Sequence, residues 1–169
     1  MSQTFSVTVA KEYLTFSAAH FITIAGHQCE RLHGHNYRLG VSVTGEVDRE
    51  TGFVVDFGVI KQVVRPLIQA VDHRVLLPTR NVKLEYTETA EQVEVIYHGA
   101  QRYIFPRTDV VMVPVSDTTA ELLAEYFAAA VAAALAAEGA KLAELTIEVE
   151  ESVGQSAAYR VALPDGPSA

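Results

Sequence analysis

From Asn36 to Val47 the chain alternates without interruption. Tyr37, Leu39, Val41 and Val43 fall on one side, and Arg38, Ser42, Thr44 and Glu46 on the other. Successive strand side chains point to opposite faces, so this run is a strand with one wet face and one buried face. The buried face needs a cover, and two segments have the spacing to supply it. After Asp56, an N-cap by residue type, Val59, Ile60, Val63, Val64, Leu67 and Val71 recur at helical intervals up to a stop near Asp72. Pro66 is expected to kink or restart that helix. Thr118 and Glu121 have the spacing of a capping box. Behind them Leu122, Leu123, Tyr126, Phe127, Ala130 and Val131 line one face of a second helix running to about Glu138, with Gly139 as its stop.

The remaining β-like runs complete the pattern. Phe5 to Phe16 reads as one strand, with Gly26 marking the turn that follows. Leu142 to Glu150 and Ala157 to Leu163 read as two more strands, parted by Ser152 to Ser156 with a turn at Gly154. Gln92 to Tyr97 and Arg102 to Phe105, joined across His98-Gly99-Ala100, read as a small peripheral hairpin. The expected fold is α+β, an antiparallel four-stranded sheet with two helices on one face plus the extra hairpin. No repeat or long linker divides it, so residues 1–163 form one domain, 78–114 an insertion within it, and 164–169 a frayed tail.

Charge and cysteine content narrow the function. A formal net charge of −8 opposes a polyanion such as DNA or RNA. The single cysteine cannot make an internal disulfide, and Met1 to Ala10 lacks the pattern of a secretory signal. The apolar stretch Ala128 to Ala137 is alanine-rich and reads as too short for a bilayer. The expectation is a cytoplasmic protein with no nucleic-acid or membrane partner, small enough that self-association is expected.

The chemistry concentrates in Cys29-Glu30-Arg31-Leu32-His33-Gly34-His35, which runs into the long strand. If the strand starts at His33, positions 33 and 35 share a face, and Gly34 leaves the other face open to close packing. His20 ends the preceding strand, and antiparallel pairing brings it opposite the other two. Three neutral imidazoles with an open fourth position make a catalytic zinc site. Beside such a site a thiol at Cys29 ionises more easily and can accept a proton. Glu151 extends the inward set Leu145, Ile147, Val149, placing a carboxylate on an apolar face as functional positions often do. Asp72-His73 follows a helix end and by itself indicates only a dipole-facing imidazole. His27 and His98 read as loop residues.

These residues resemble the 6-pyruvoyltetrahydropterin and 6-carboxytetrahydropterin synthase family, through FSAAH at Phe16 to His20, CERLHGH at Cys29 to His35, VDHRVL at Val71 to Leu76, and Glu151. The three-residue gap between the cysteine and the first histidine looks like the bacterial carboxy branch. The resemblance implies a T-fold whose subunits join their sheets into a barrel, here a hexamer of two trimers with active sites between subunits. It implies that His20, His33 and His35 bind one zinc ion, that Cys29 is the base, that Asp72 and His73 complete a proton relay, and that Glu151 anchors a pterin ring. A ring-binding turn would include Thr118 and Thr119. The implied reaction is zinc-dependent lysis of 7,8-dihydroneopterin triphosphate to 6-carboxytetrahydropterin, acetaldehyde and triphosphate, toward queuosine-type deazapurines.

Lys61, Arg65, Arg74 and Arg80 flank the implied catalytic segments and could meet the triphosphate. Two departures stand out: the long 78–114 insertion, and the absence from Asp117 to Glu121 of the proline and serine common in the bacterial turn. The alternatives are the pyruvoyl reaction, without side-chain cleavage, and a pterin-binding T-fold protein without catalysis. A general zinc hydrolase lacks a carboxylate base other than Glu30, which is expected to face solvent.

Overall fold

The computed structural model describes residues 4–9, 14–23 and 29–163. The elements in order are β1 (Phe5–Val9), β2 (Thr15–His20), β3 (His33–Gly45), α1 (Phe57–Val71), β4 (Arg74–Pro78), β5 (Leu84–Glu88), β6 (Gln92–Tyr97), β7 (Ala100–Pro106), β8 (Val110–Val113), α2 (Ala120–Ala137), β9 (Glu144–Ser152) and β10 (Gln155–Ala162).

The long strand β3 is the spine. Along one edge it pairs antiparallel with β1 at its far end and with β2 at its near end; along the other it pairs with β9, which pairs with β10. Leu39, Val41 and Val43 on β3 are fully buried, as alternation requires, together with Leu145, Ile147 and Val149 on β9. The apolar faces of α1 and α2 pack on this side of the sheet and on each other.

Three features differ from the sequence expectation. The run Phe5 to Phe16 is not one strand: β1 and β2 pair with separate halves of β3, and residues 10–13 lie outside the described residues, as do Gly26, His27 and the tail 164–169. The sheet has seven strands rather than four, because β4 and β8 extend it beyond β2 in parallel pairing. These short strands carry too little alternation to be told from loop. Third, Pro66 sits inside an unbroken α1. Pro66 and Gln62, whose carbonyl loses its donor, are both exposed, so water can meet the orphaned oxygen.

The caps follow simple rules with one shift. Asp56 accepts from Gly58 N–H at 2.5 Å to open α1. The N-cap of α2 is Thr119, whose hydroxyl accepts from Leu122 N–H, and not Thr118, which is fully buried. Gly139, at φ 76°, follows the end of α2. By length and composition α2 is long and apolar enough to cross a membrane, contrary to the expectation of a stretch too short. Leu123, Phe127, Val131 and Leu135 bury one face of it in the core, which accounts for much of that apolarity.

The inserted hairpin is larger than expected and is not peripheral. With β5 it forms a three-stranded antiparallel sheet, turned at His98 and Gly99, both at positive φ as a two-residue hairpin requires. Leu84, Val93 and Val95 from this sheet build a second core with Phe21, Cys29, Leu77 and Val110. The insertion therefore packs directly against the segment that carries the cysteine.

Phe127 of α2 lies 5.6 Å from Phe16, which stacks on Tyr37 at 4.9 Å between ring centroids. Phe127→Ala is expected to cost about 3–5 kcal/mol through lost burial and a residual cavity; chemical denaturation of the variant and the parent measures the difference.

Candidate functional site

β2 ends and β3 begins at one place, with His20 opposite His33 and Ala18 opposite His35. That register puts all three imidazoles on the helix-facing side, with ring centroids 4.6, 5.2 and 5.0 Å apart. Gly34 between them allows a close approach of the strands, since a Cβ there would lie 3.1 Å from the Ala18 carbonyl oxygen, tighter than ordinary contact. Glu151, next along the buried face of β9, brings Oε1 to 2.9 Å from His35 Nε2 and 3.3 Å from His20 Nε2.

The other ring nitrogens are occupied in a way that sets the tautomers. His20 Nδ1 lies 2.9 Å from the Thr118 carbonyl, and His33 Nδ1 lies 2.9 Å from the Arg31 carbonyl. A carbonyl only accepts, so each Nδ1 carries the proton and each Nε2 offers a lone pair to the cluster. Burial holds His20 below the ordinary imidazole pKa, with the Thr118 carbonyl and the Glu151 carboxylate pulling the other way. His20 is thus neutral at pH 7, the state a metal requires.

The donor set fits zinc. His35 Nε2 is buried and has no hydrogen-bond partner, because its 2.9 Å approach to Glu151 lacks hydrogen-bond alignment. Such an orphaned nitrogen is costly unless a cation uses it. One ligand atom from each of His20, His33, His35 and Glu151 lies within 4.8 Å of the others. Ligands about 2.1 Å from a tetrahedral ion stand roughly 3.4 Å apart, so the widest separation must close by about 1.4 Å. Tyr37 supports the cluster from the core, its hydroxyl 3.3 Å from His20 Nε2.

Thr118 therefore supports His20, through its carbonyl and its hydroxyl at 3.2 Å, while Thr119 caps α2. Cys29 lies in the second core at 7% exposure. Burial raises its thiol pKa, and Arg102 opposes that rise. Glu30 beside it is half-buried, less solvent-facing than expected.

Asp72 and His73 lie elsewhere. His73, at φ 56°, a conformation uncommon outside glycine, leaves the end of α1. Its Nδ1 is 2.9 Å from Asp72 Oδ1, and that same oxygen accepts from Ser17 N–H at 2.8 Å. These bonds hold the Asp72 carboxyl below its usual pKa, the Ser17 bond most of all. The His73 side chain is 80% exposed. It opens on a cleft of about 470 Å³ lined by Ser17, Gly34, Asn36, Arg74 and Asp109. Ser17, Gly34 and Asn36 alternate away from the imidazoles, so this cleft opens mainly on the opposite face of the sheet, with His35 also in its lining. Among the described residues no hydrogen bond or ion pair joins His73 to Cys29. Of the four basic residues expected near a triphosphate, Arg74 lines this cleft, whereas Arg80 lines a separate one beside α2.

Sequence pattern gives no sign of two further contributors, Arg102 and Tyr103, which contact the Cys29 to Leu32 segment from β7. They lie about seventy residues away in a hairpin that reads as an appendage.

The sequence model of the 6-pyruvoyl tetrahydropterin synthase family matches residues 8–162. A Methanocaldococcus jannaschii protein, provisionally named a 6-carboxy-5,6,7,8-tetrahydropterin synthase, is 35% identical over 149 residues, covering 87% of this chain and 90% of the relative. A Pyrococcus furiosus dihydroneopterin monophosphate aldolase is 42% identical over 60 residues, 36% of this chain and 49% of the relative. The fold superposes on a Plasmodium vivax 6-pyruvoyltetrahydropterin synthase, solved with a catalytic glutamate exchanged for cysteine. The TM-score is 0.88 at 25% identity, over 96% of this chain and all of that one. Coverage this complete extends into the inserted hairpin.

His20→Ala, His33→Ala and His35→Ala are each expected to lower bound zinc clearly below the parent's content, since each removes one of the three imidazole ligands. Glu151→Gln is expected to keep its zinc. Elemental analysis after gel filtration, with circular dichroism to confirm folding, measures both.

Proposed function

The chain belongs to the 6-pyruvoyl tetrahydropterin synthase family, and from that premise we propose that it is a zinc-dependent lyase, a 6-carboxy-5,6,7,8-tetrahydropterin synthase acting on 7,8-dihydroneopterin triphosphate. The observation that carries the proposal is the convergence of His20, His33, His35 and Glu151 beside an otherwise unsatisfied imidazole nitrogen. The relative matched along nine-tenths of its length supports the carboxy branch.

In this reading His20, His33 and His35 hold the metal. Bound zinc would polarise the side-chain hydroxyls of the substrate and make the neighbouring C–H more acidic. Cys29 takes that proton, and its partial burial keeps water from competing for it. His73, oriented by Asp72, moves protons at the second side-chain carbon as triphosphate leaves. Cleavage of the side chain then releases acetaldehyde. Glu151 accepts from the guanidine-like edge of the pterin, a role that requires its carboxylate to turn from the imidazoles toward the ring. The backbone around Thr118 and Thr119 lines the ring pocket, and Arg74 meets phosphate.

Among the described residues no hydrogen bond or ion pair joins Cys29 to the Asp72-His73 pair, so we assign the complete site to an oligomer in which one subunit's relay serves its neighbour's thiol. A hexamer of two trimers, with sheets joined into a barrel, satisfies that requirement. The protein so formed works in the cytoplasm, on a small molecule, without nucleic acid or membrane.

A second reading is favoured by specific observations. The Pyrococcus furiosus relative is named an aldolase, the Plasmodium vivax protein has a catalytic glutamate, and this chain places half-buried Glu30 beside Cys29. A carboxylate base at that point would remove a side-chain hydroxyl proton and break the bond between the first two side-chain carbons. That reaction yields a hydroxymethyl pterin and glycolaldehyde or its phosphate.

Zinc-loaded protein incubated with 7,8-dihydroneopterin triphosphate, and separately with the monophosphate, is expected to release triphosphate and acetaldehyde from the former. Cys29→Ala is expected to lose at least about 100-fold in rate, the usual contribution of a general base. Triphosphate release without acetaldehyde would identify the pyruvoyl reaction. Glycolaldehyde or its phosphate, lost in Glu30→Gln, would establish the aldolase reading. Zinc with no product from either substrate would mean a pterin-binding role.

A further inference from the structure

The inserted hairpin closes on the segment that carries Cys29. Arg102 on β7 donates from one guanidinium nitrogen to the carbonyls of Cys29 at 3.4 Å and Glu30 at 3.3 Å. The next residue, Tyr103, accepts at its hydroxyl from Leu32 N–H at 3.1 Å. Tyr103 is itself fixed, stacked on Phe105 at 5.4 Å and packed against Phe21 at 5.2 Å between ring centroids. Two adjacent hairpin residues therefore grip both ends of the loop between the cysteine and the first β3 histidine.

We propose that Arg102 is the counter-charge of the Cys29 thiolate, a positioning residue delivered to the active site by the inserted hairpin. The inference rests on the reading of Cys29 as a base, yet it can be tested without any substrate. A cation that already holds two backbone carbonyls at the cysteine stays in place whether or not the thiol is ionised, and it does not need to reorganise when charge appears. Arginine suits the task because its guanidinium keeps its proton at any working pH and offers several donors in a fixed plane.

The surroundings of the thiol set the direction of this contribution. Burial disfavours the thiolate most, and Asp117 ahead of α2 and Glu30 in the same loop oppose it as well. Arg102 is the cation that favours it, through both charge and hydrogen bonding. Tyr86 on β5 also faces this group and stays protonated, its own pKa pushed up by burial, by Asp117 and by Cys29. Without Arg102 the thiol would sit in an apolar pocket with two carboxylates and a phenol for company, an environment that keeps sulfur protonated and inert.

Cys29 is the chain's only cysteine, so ultraviolet thiolate absorbance reads its ionisation directly once the Cys29→Ser background is subtracted. The experiment titrates the full-length protein, with matched zinc content, as parent, Arg102→Met and Arg102→Lys. The midpoint is expected to rise by about one pH unit in Arg102→Met and to stay near the parent in Arg102→Lys. With substrate, Arg102→Met is expected to lose kcat at neutral pH and regain it at higher pH with KM little changed, a profile that a purely structural brace does not produce. An unmoved midpoint in folded Arg102→Met overturns the proposal. Should Arg102→Met fail to fold, the parent decides the matter: the midpoint rises with added salt if an exposed guanidinium holds the thiolate, and a flat or falling response overturns it. A shifted midpoint together with undiminished turnover by Cys29→Ala would keep the pairing and sink the base assignment instead.

Discussion

The site depends on one register. β2 and β3 pair so that His20 faces His33 across the ladder, and the same ladder sets Tyr37, Leu39, Val41 and Val43 into the core. A slip of one residue would turn the imidazoles to the far face and expose those four apolar side chains together. The core thus enforces the geometry of the imidazole cluster: the hydrophobic burial that stabilises β3 also fixes which way its first residues point. On the other edge, β9 pairs in a register that buries Leu145, Ile147 and Val149 and carries Glu151 along the same face. Two independent ladders meet at one cluster.

Burial then dictates what the cluster can be. An imidazole as deeply enclosed as His20 resists protonation, and two carbonyls commit the Nδ1 protons of His20 and His33 outward. The result is a pair of inward Nε2 lone pairs, from His20 and His33, with the His35 ring and a carboxylate beside them. Neutral lone pairs and a negative charge in a partly dry pocket repel one another; a divalent cation relieves that repulsion. The orphaned His35 Nε2 is the visible trace of the conflict.

Much of this was legible in the sequence, and the reasons differ residue by residue. His33 and His35 announce themselves because strand alternation is a strict rule and β3 is long enough to display it. Glu151 was found by the same rule applied to β9. Periodicity marks both helices, but the capping-box spacing points to Thr118 where Thr119 caps α2: both are capping types, and only the demand of His20 Nδ1 for an acceptor tells them apart. β4 and β8 escaped because five and four residues of parallel strand look like any apolar connection. Arg102 and Tyr103 escaped for a deeper reason: their significance lies wholly in where β7 docks, and nothing local to the hairpin encodes that.

The sheet has two chemically distinct faces, and the proposed function uses both. On the helix-covered face stand the imidazoles; on the other stand Asp72 and His73, with Ser17 and Asn36 joined at 2.6 Å beside them. A proton relay exposed to bulk water has no advantage over the water itself, because solvent exchanges its proton freely and screens its charge. The positive-φ backbone at His73 is nevertheless a costly feature for a surface imidazole, and Asp72 Oδ1 holds the ring in place while bonded to Ser17 N–H. They make physical sense where a second surface covers them. No described element of this chain lies over that cleft, so under the proposed reading the cover is another copy of the same sheet. Subunit association would then be a step of catalysis as much as of stability: it dries the relay and supplies the thiol that the relay serves.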